Sequence, residues 1–419
     1  MEEKYYLCID LKSFYASVEA VERGLDPFKT NLIVADPSRG NGAICLAITP
    51  ALKALGIKNR CRVFEIPKNI EYITALPRMK LYMEYSANIY AIYLKYISKE
   101  DIHPYSIDEC FFDITSYLTL YKKTPNEIAK MLMDAVFKET GVCASAGIGT
   151  NLFLAKAALD ITAKHADDHI GYLDIDEFKK TVWFHRPITD VWNVGRGIAK
   201  RLEKYQIFDL RGVAMIDPKL MYKEFGVNAE YLIDHANGIE PCTIKEIQEF
   251  VPETSSISNG QILFDDYNYD DALLALKEMV DVLALDLVDN DLVTNSISLR
   301  VGYSKEAIKS TGGTMKLSEY TNSSRKLVDY FTRYFHKTAN PNFPIRKLNI
   351  GFNHLTQLDY VNLDFFSDYE KDEKELKVQK AMMDIKNKFG KNSILRGMSL
   401  MENATTKKRN KLIGGHNGE

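Results

Sequence analysis

Residues 105–114, YSIDECFFDI, constrain this chain more than any other stretch, because they set two adjacent carboxylates inside a run that otherwise reads as β-structure. Tyr105 and Ile107 flank Ser106, and Phe111, Phe112 and Ile114 follow Asp108 and Glu109. Strand-forming runs on both sides of two acids predict a hairpin with the acids at or beside its tight turn. A buried, unpaired carboxylate is costly, so both acids are expected to face water or a cation. On a rigid hairpin tip, two hard oxygen ligands suit Mg²⁺, which takes one or two protein carboxylates and completes its shell with substrate phosphates. An Asp-Glu pair alone is usually a solvated turn; a further acid brought in from elsewhere separates the two readings.

That acid is near the start. Residues 5–24, YYLCIDLKSFYASVEAVERG, open with an apolar run ending at Asp10. Ser13 is then placed to cap a helix in which Phe14, Val18 and Val21 share a face. An acid at the carboxyl end of a buried strand, just before a helix, sits at a sheet edge where ligands bind. With the hairpin pair, it gives the set that two-metal phosphoryl transfer needs, with ions about 3.5–4 Å apart.

CIDLKSFYASVE (8–19) together with YSIDECFFD (105–113) resembles the first and second palm motifs of the Y-family, or translesion, DNA polymerases, closest to the UmuC/UvrX-like branch of Gram-positive bacteria. The resemblance extends through most of the chain. It implies an α/β (α+β) right-hand polymerase with palm, fingers and thumb, plus a little-finger domain, acting as an error-prone, template-directed enzyme of translesion synthesis and DNA repair. On this resemblance Asp10 and Asp108 hold two Mg²⁺, with Mn²⁺ able to substitute. Glu109 assists at the primer-side metal, and the Leu11 carbonyl ligates the nucleotide-side one. Phe14 and Tyr15 meet the incoming dNTP, Tyr15 as the steric gate against a 2′-hydroxyl. Lys156 aligns with the lysine that reaches the nucleotide's phosphates.

Length and composition are compatible with this. A chain of 419 residues has room for two to four domains, and its 46% hydrophobic and 26% charged content is ordinary for a soluble globular protein. No apolar run approaches the roughly 18 residues of a membrane span, and no signal peptide precedes Asp10. The six cysteines (8, 45, 61, 110, 143 and 242) form no Cys-x-x-Cys pair and read as reduced thiols of a cytoplasmic protein. A formal charge of −3 means that any DNA surface is a local patch.

In chain order, residues 1–174 read as a palm with fingers inserted at about 22–80. The fingers stretch carries Pro27, Pro37, Pro50, Pro67 and Pro77, with strand-like runs at 32–35 and 43–47 around a glycine loop. By resemblance Ala43 is a small residue that leaves the site open, and Lys53 and Arg60 meet the triphosphate; Lys53 reads equally as a solvated helix residue. Thr49-Pro50 departs from the tyrosine and arginine of the DinB branch. The order strand–helix–hairpin–helix–strand–helix predicts a sheet covered on one face. Residues 175–243 read as a helical thumb. Within it Gly195 and Gly197, followed by Lys200, Arg201 and Lys204, resemble a helix-hairpin-helix whose amides and cations meet a phosphate independently of sequence.

A polar linker is expected at 244–256. Residues 257–355 follow in β-α-β-β-α-β order, a ferredoxin-like split unit matching the little finger, with Arg300, Ser304, Lys316 and Ser318 available to DNA backbone or merely solvated. The tail, 356–419, is expected to hold a charged helix from about 369 to 388 and then a basic stretch, disordered or a DNA-tethering arm, in which Lys391, Arg396, Lys407, Lys408, Arg409 and Lys411 are balanced by Glu402 alone. Within it, Leu363, Phe365 and Phe366 resemble the peptide that docks on the sliding clamp. Expected partners are thus primer-template DNA, dNTP, the clamp and accessory proteins of the SOS response, with no membrane.

Two rivals remain in view. A nucleotide cyclase shares an acidic palm hairpin but has no use for a thumb and a further domain. A non-catalytic DNA-binding protein has no need to keep Asp10, Asp108 and Glu109 together.

Overall fold

The computed structural model describes residues 4–252, 255–358 and 369–418. The chain divides into two compact units, residues 1–250 with 417–419, and residues 251–416.

The first unit is built on a five-stranded sheet. Strand β1 (Tyr6–Leu11) leads into α1 (Phe14–Val21). The fingers follow with β2 (Leu32–Val34), β3 (Ala47–Ile48), α2 (Pro50–Ala54) and β4 (Ile73–Ala75), then α3 (Met79–Tyr93) returns to the sheet. Strands β5 (Ile102–Pro104) and β6 (Glu109–Asp113) form the expected antiparallel hairpin. After α4 (Thr115–Tyr121) and α5 (Pro125–Thr140) come β7 (Ala144–Gly149), α6 (Leu152–Ala157) and β8 (Ile170–Leu173). The sheet order is β5-β6-β1-β7-β8, which puts Asp10 and the hairpin on adjacent strands.

This sheet is covered on both faces, not one as its element order predicts. Ile9, Phe112 and Ile148 pack with α1, α3 and α5 on one side, while Tyr6, Cys8 and Phe111 pack against Leu152, Ala155 and Leu159 on the other. The uninterrupted apolar run of β1 is the cause, since a strand buried on both faces has no polar alternation. Gly147 and Gly149 let α6 approach closely: a Cβ on either would lie 2.1–2.2 Å from the Ala155 backbone.

Short helices follow, α7 (Ile175–Glu177), α8 (Arg196–Glu203), α9 (Leu210–Met215), α10 (Pro218–Phe225) and α11 (Ala229–Ala236), of which α8 to α11 share one core with Phe153 and Ala157 of α6. The expected linker begins instead with helix α12 (Ile244–Glu249). Thr243 and Glu246 form its capping box, and Gln248 Nε2 donates to the carbonyl of Ile102 at 3.0 Å. No helix among the described residues is long and apolar enough to cross a membrane.

The second unit runs β9 (Ile257–Tyr267), α13 (Tyr269–Asp289), β10 (Leu292–Tyr303), β11 (Thr311–Thr321), α14 (Ser324–Thr338) and β12 (Ile345–Asn353). The split pattern is present, with the last strand, β12, inserted between β9 and β10 in the order β11-β10-β12-β9. A short strand, β13 (Thr356–Gln357), pairs with β10.

The tail contains the expected charged helix, while its basic stretch corrects the expectation of disorder or a free arm. Helix α15 (Tyr369–Phe389) and the residues after it, including α16 (Thr406–Arg409), dock on the second unit. Glu278 of α13, 1% exposed, accepts from the Thr405 amide at 2.6 Å and the Thr405 hydroxyl at 3.0 Å. Arg396 Nε donates to Asp281 at 3.2 Å, and Arg409 to Gln261 at 3.3 Å. The counter-charges of the basic stretch are acids more than a hundred residues away, which local charge counting misses. Leu363, Phe365 and Phe366 lie outside the described residues.

Candidate active site

Asp10 stands at the open end of β1, directly opposite Glu109 of β6. The Leu11 amide donates to the Asp108 carbonyl at 2.9 Å, so all three acids gather at one edge of the sheet. The hairpin tip is tied by the amides of Tyr105 and Ser106, which both donate to the Glu109 carbonyl, and by the Ser106 hydroxyl, which donates to Asp108 Oδ1 at 2.7 Å.

The two hairpin acids differ in their surroundings. Asp108 is partly exposed, whereas Glu109 is 8% exposed, against the expectation that both face water or a cation. Burial of Glu109 is tolerated because Lys156 Nζ donates to its carboxylate at 2.9 Å and the Cys8 thiol donates at 3.1 Å. Lys156 is itself buried, and Asp160 holds its other side at 3.0 Å. Burial pulls the Lys156 ammonium down, but Asp160, Cys8 and Glu109 carry it above its ordinary value. The Cys8 thiol is lifted, first by burial and then by Glu109.

Asp10 has no such partner. Burial, and then the charges of Asp108 and Glu109, push its carboxyl up to about 7. Carboxylates crowded so tightly that one resists ionisation are a donor set that a divalent cation relieves. Among the described residues no three Asp, Glu, His or Cys side chains are arranged to hold a metal by themselves. With Glu109 turned to Lys156, Asp10, Asp108 and the Leu11 carbonyl remain, and these fit a hard cation that draws other oxygens from its substrate.

Ser13 stands where the cap of α1 was expected, but in left-handed conformation (φ 51°), with no capping bond from its side chain. Its buried hydroxyl has no hydrogen-bond partner. Phe14 turns into the core. Tyr15 is half-buried and stacks on Tyr82 with ring centroids 4.5 Å apart and planes 17° from parallel. Burial and the Asp108 charge raise the Tyr15 phenol, which puts this ring beside the acids. Behind it, Tyr82 donates its hydroxyl to Glu19 at 2.8 Å, and Arg78 binds Glu19 through two bonds of 2.9 Å.

Lys53 stands in the last turn of α2 within electrostatic reach of Asp10. Burial, and then the positive charge of Lys164, lower its ammonium, against an opposing pull from Asp10. Lys164 is exposed, just past a π-helical turn that continues α6. Sequence reading singled out Lys156 in this segment and missed Lys164. In the fingers, Ala43 is buried at 4% exposure, and its neighbour Ile44 is 47% exposed.

Elsewhere, Gly195 and Gly197 are exposed at the start of α8 and Lys200 in its last turn. Arg300 and Lys316 are exposed on β10 and β11. Ser304 and Ser318 are engaged within their own unit, by Asp266 and Tyr330.

The family model of the impB/mucB/samB family matches residues 9–160, and that of its C-terminal domain matches residues 254–365, together more than half of the chain. The chain belongs to the impB/mucB/samB family. Within it, UvrX of Bacillus subtilis (strain 168) is 30% identical over 99% of this chain and 97% of its own length. DNA polymerase IV 2 of the same organism is 31% identical over 99% of each chain. A solved Y-family DNA polymerase chimera of Dbh and Dpo4 shares the fold, with a TM-score of 0.64 and 17% identity over 84% of this chain and 99% of that one. The first family match takes in the end of β1, the hairpin and all of α6, the elements that bring Asp10, Asp108, Glu109 and Lys156 together.

Proposed function

We propose that this chain is a template-directed, error-prone DNA polymerase that adds dNTPs to a primer 3′-hydroxyl across damaged template. The observation that carries the reading is the placement of Asp10, Asp108 and Glu109 at one sheet edge beside the Tyr15 ring. Two relatives add support, one named for UV-damage repair and the other for DNA polymerase.

Asp10, Asp108 and the Leu11 carbonyl would hold two Mg²⁺, or Mn²⁺ in their place, with Glu109 at the primer side. Bound there, such ions make the primer hydroxyl a better nucleophile and neutralise the leaving pyrophosphate. The chain's own groups do the rest. Tyr15, backed by Tyr82, occupies the space a ribose 2′-hydroxyl would need, with Phe14 fixing its turn of helix. Lys53 and Lys164 bring positive charge to the triphosphate, a form of preorganised electrostatic stabilisation. Lys156 holds Glu109 in place rather than reaching the nucleotide. Gly195, Gly197 and Lys200, with Arg300 and Lys316, grip duplex phosphates, contacts that position without reading sequence. The sliding clamp and accessory SOS proteins are the partners this reading assigns, in the cytoplasm.

Primer extension with single nucleotides tests it. Asp10→Ala and Asp108→Ala are expected to abolish addition while primer-template affinity stays within a few-fold, because the lost interactions belong to the transition state. Tyr15→Ala is expected to admit ribonucleotides. Normal extension by either acid variant rejects the proposed site, and unchanged sugar selection in the third assigns Tyr15 to packing alone.

A further inference from the structure

The acidic hairpin is not held by the sheet alone. Tyr105, at its tip, is 45% exposed, yet its hydroxyl accepts a hydrogen bond from Trp192 Nε1 at 2.9 Å. Trp192 also meets the Tyr105 ring edge-on at 5.9 Å and 78°, and the Phe111 ring of β6 at 6.0 Å. It belongs to the loop that enters α8. Asn193 turns the chain there with a φ of 64°, Val194 is buried, and Gly195 opens the helix. The loop therefore presents an indole to the hairpin and leads directly into the exposed Gly195 and Gly197 at the start of α8, with Lys200 exposed further along the helix.

Trp192 has a firm backing. Its ring stacks on His235 at 5.8 Å and 15°, and His235 stacks on Phe153 of α6 at 4.2 Å and 12°. His235 is 4% exposed, and its Nε2 lies 2.9 Å from Glu240. The indole is thus fixed between a rigid aromatic stack and the hairpin tip.

We infer that Trp192 is a positioning residue, which couples the hold of the α8 loop on duplex phosphate to the placement of the Asp108–Glu109 hairpin through its bond to Tyr105. The inference rests on the polymerase reading. A phosphate seated on the amides at the start of α8 restrains the loop. The restrained indole then fixes Tyr105, and the Tyr105 amide, bonded to the Glu109 carbonyl, carries that restraint to the acids. Chemistry is thereby favoured when a duplex is in place. Small misplacements of reacting groups are costly, about 100-fold per ångström.

Tyr105→Phe and Trp192→Phe each remove the hydrogen bond and keep an aromatic ring. Each is expected to lower the single-turnover incorporation rate at saturating dNTP by about 3- to 10-fold, the size of one hydrogen bond. Dissociation constants for primer-template and dNTP should stay within two-fold. The double variant should be no slower than the slower single one, since both delete one interaction. Hydrogen exchange supplies a readout that packing alone would not move. In the wild type, primer-template should slow exchange both in residues 191–200 and in the hairpin, 105–113. In Trp192→Phe it should protect only 191–200. Rates within two-fold of wild type, multiplicative effects in the double variant, or equal hairpin protection in Trp192→Phe would each overturn the inference. Should the wild type add no nucleotide, the polymerase reading fails, and the exchange comparison still decides the coupling.

Discussion

Glu19 has no exposed side-chain surface, and it bears burial because it is surrounded by donors. Burial alone would raise its pKa, but hydrogen bonds from Arg78, Arg23 and Tyr82 bring it below the usual 4.5. Since Tyr82 is the ring on which Tyr15 stacks, the charge state of Glu19 bears on the proposed sugar gate. A depressed carboxyl contributes stability that is fully present above its unfolded value and is lost as pH falls through its folded one. Wild-type stability should therefore drop below about pH 4.5, the usual glutamate range. Glu19→Gln should be less stable by about 1–3 kcal/mol at pH 7, as for hydrogen bonds to a charged group, and should lose less on acidification. Urea melts between pH 3 and pH 7 check this; parallel pH profiles for the two proteins would mean that Glu19 contributes through packing only.

Among the elements, those with a local signal were legible. The hairpin announced itself through two β-runs around Asp108 and Glu109, and the order of strands and helices in the second unit was readable from period and turn residues. What failed depended on long-range pairing. Glu109 was expected to face water or a cation at the surface, because the ammonium that lets it be buried, Lys156, is 47 residues away and on another element. The tail was expected to be free because Glu278 and Asp281 lie on α13, where buried acids look like the solvated face of a helix. Its docking makes a prediction. Truncation after Phe389 removes Thr405, Thr406 and Arg396, which strips Glu278 of these donors and leaves Asp281 with the Ser324 hydroxyl but without its guanidinium. Breaking buried charged pairs from one side costs about 3–5 kcal/mol, so the truncated protein should melt several degrees lower. Glu278→Leu in the truncated background should recover part of the loss. A tethering arm gives the opposite pattern, with an unchanged melting temperature and weaker DNA binding.

At the scale of the whole molecule, a net charge of −3 sets the problem of staying on DNA. On the proposed reading, attraction comes from small basic patches, Lys200 with its glycines and Arg300 with Lys316, and such phosphate contacts weaken steeply with salt. An enzyme with so few contacts gains from a tether, because linkage raises its effective concentration at the primer end. The segment Asn362-Leu363-Asp364-Phe365-Phe366 resembles a clamp-docking peptide, with asparagine where glutamine is usual. Three apolar side chains in a charged stretch favour burial somewhere, and a clamp pocket would take them as a few anchoring hot spots. The triple variant Leu363→Ala, Phe365→Ala, Phe366→Ala is therefore expected to extend primers normally without clamp and to lose clamp stimulation. The deficit should widen as salt rises, because the patches then hold less of the load. If instead the variant melts earlier and keeps full clamp stimulation at every salt concentration, these side chains serve the core, and the tether lies elsewhere.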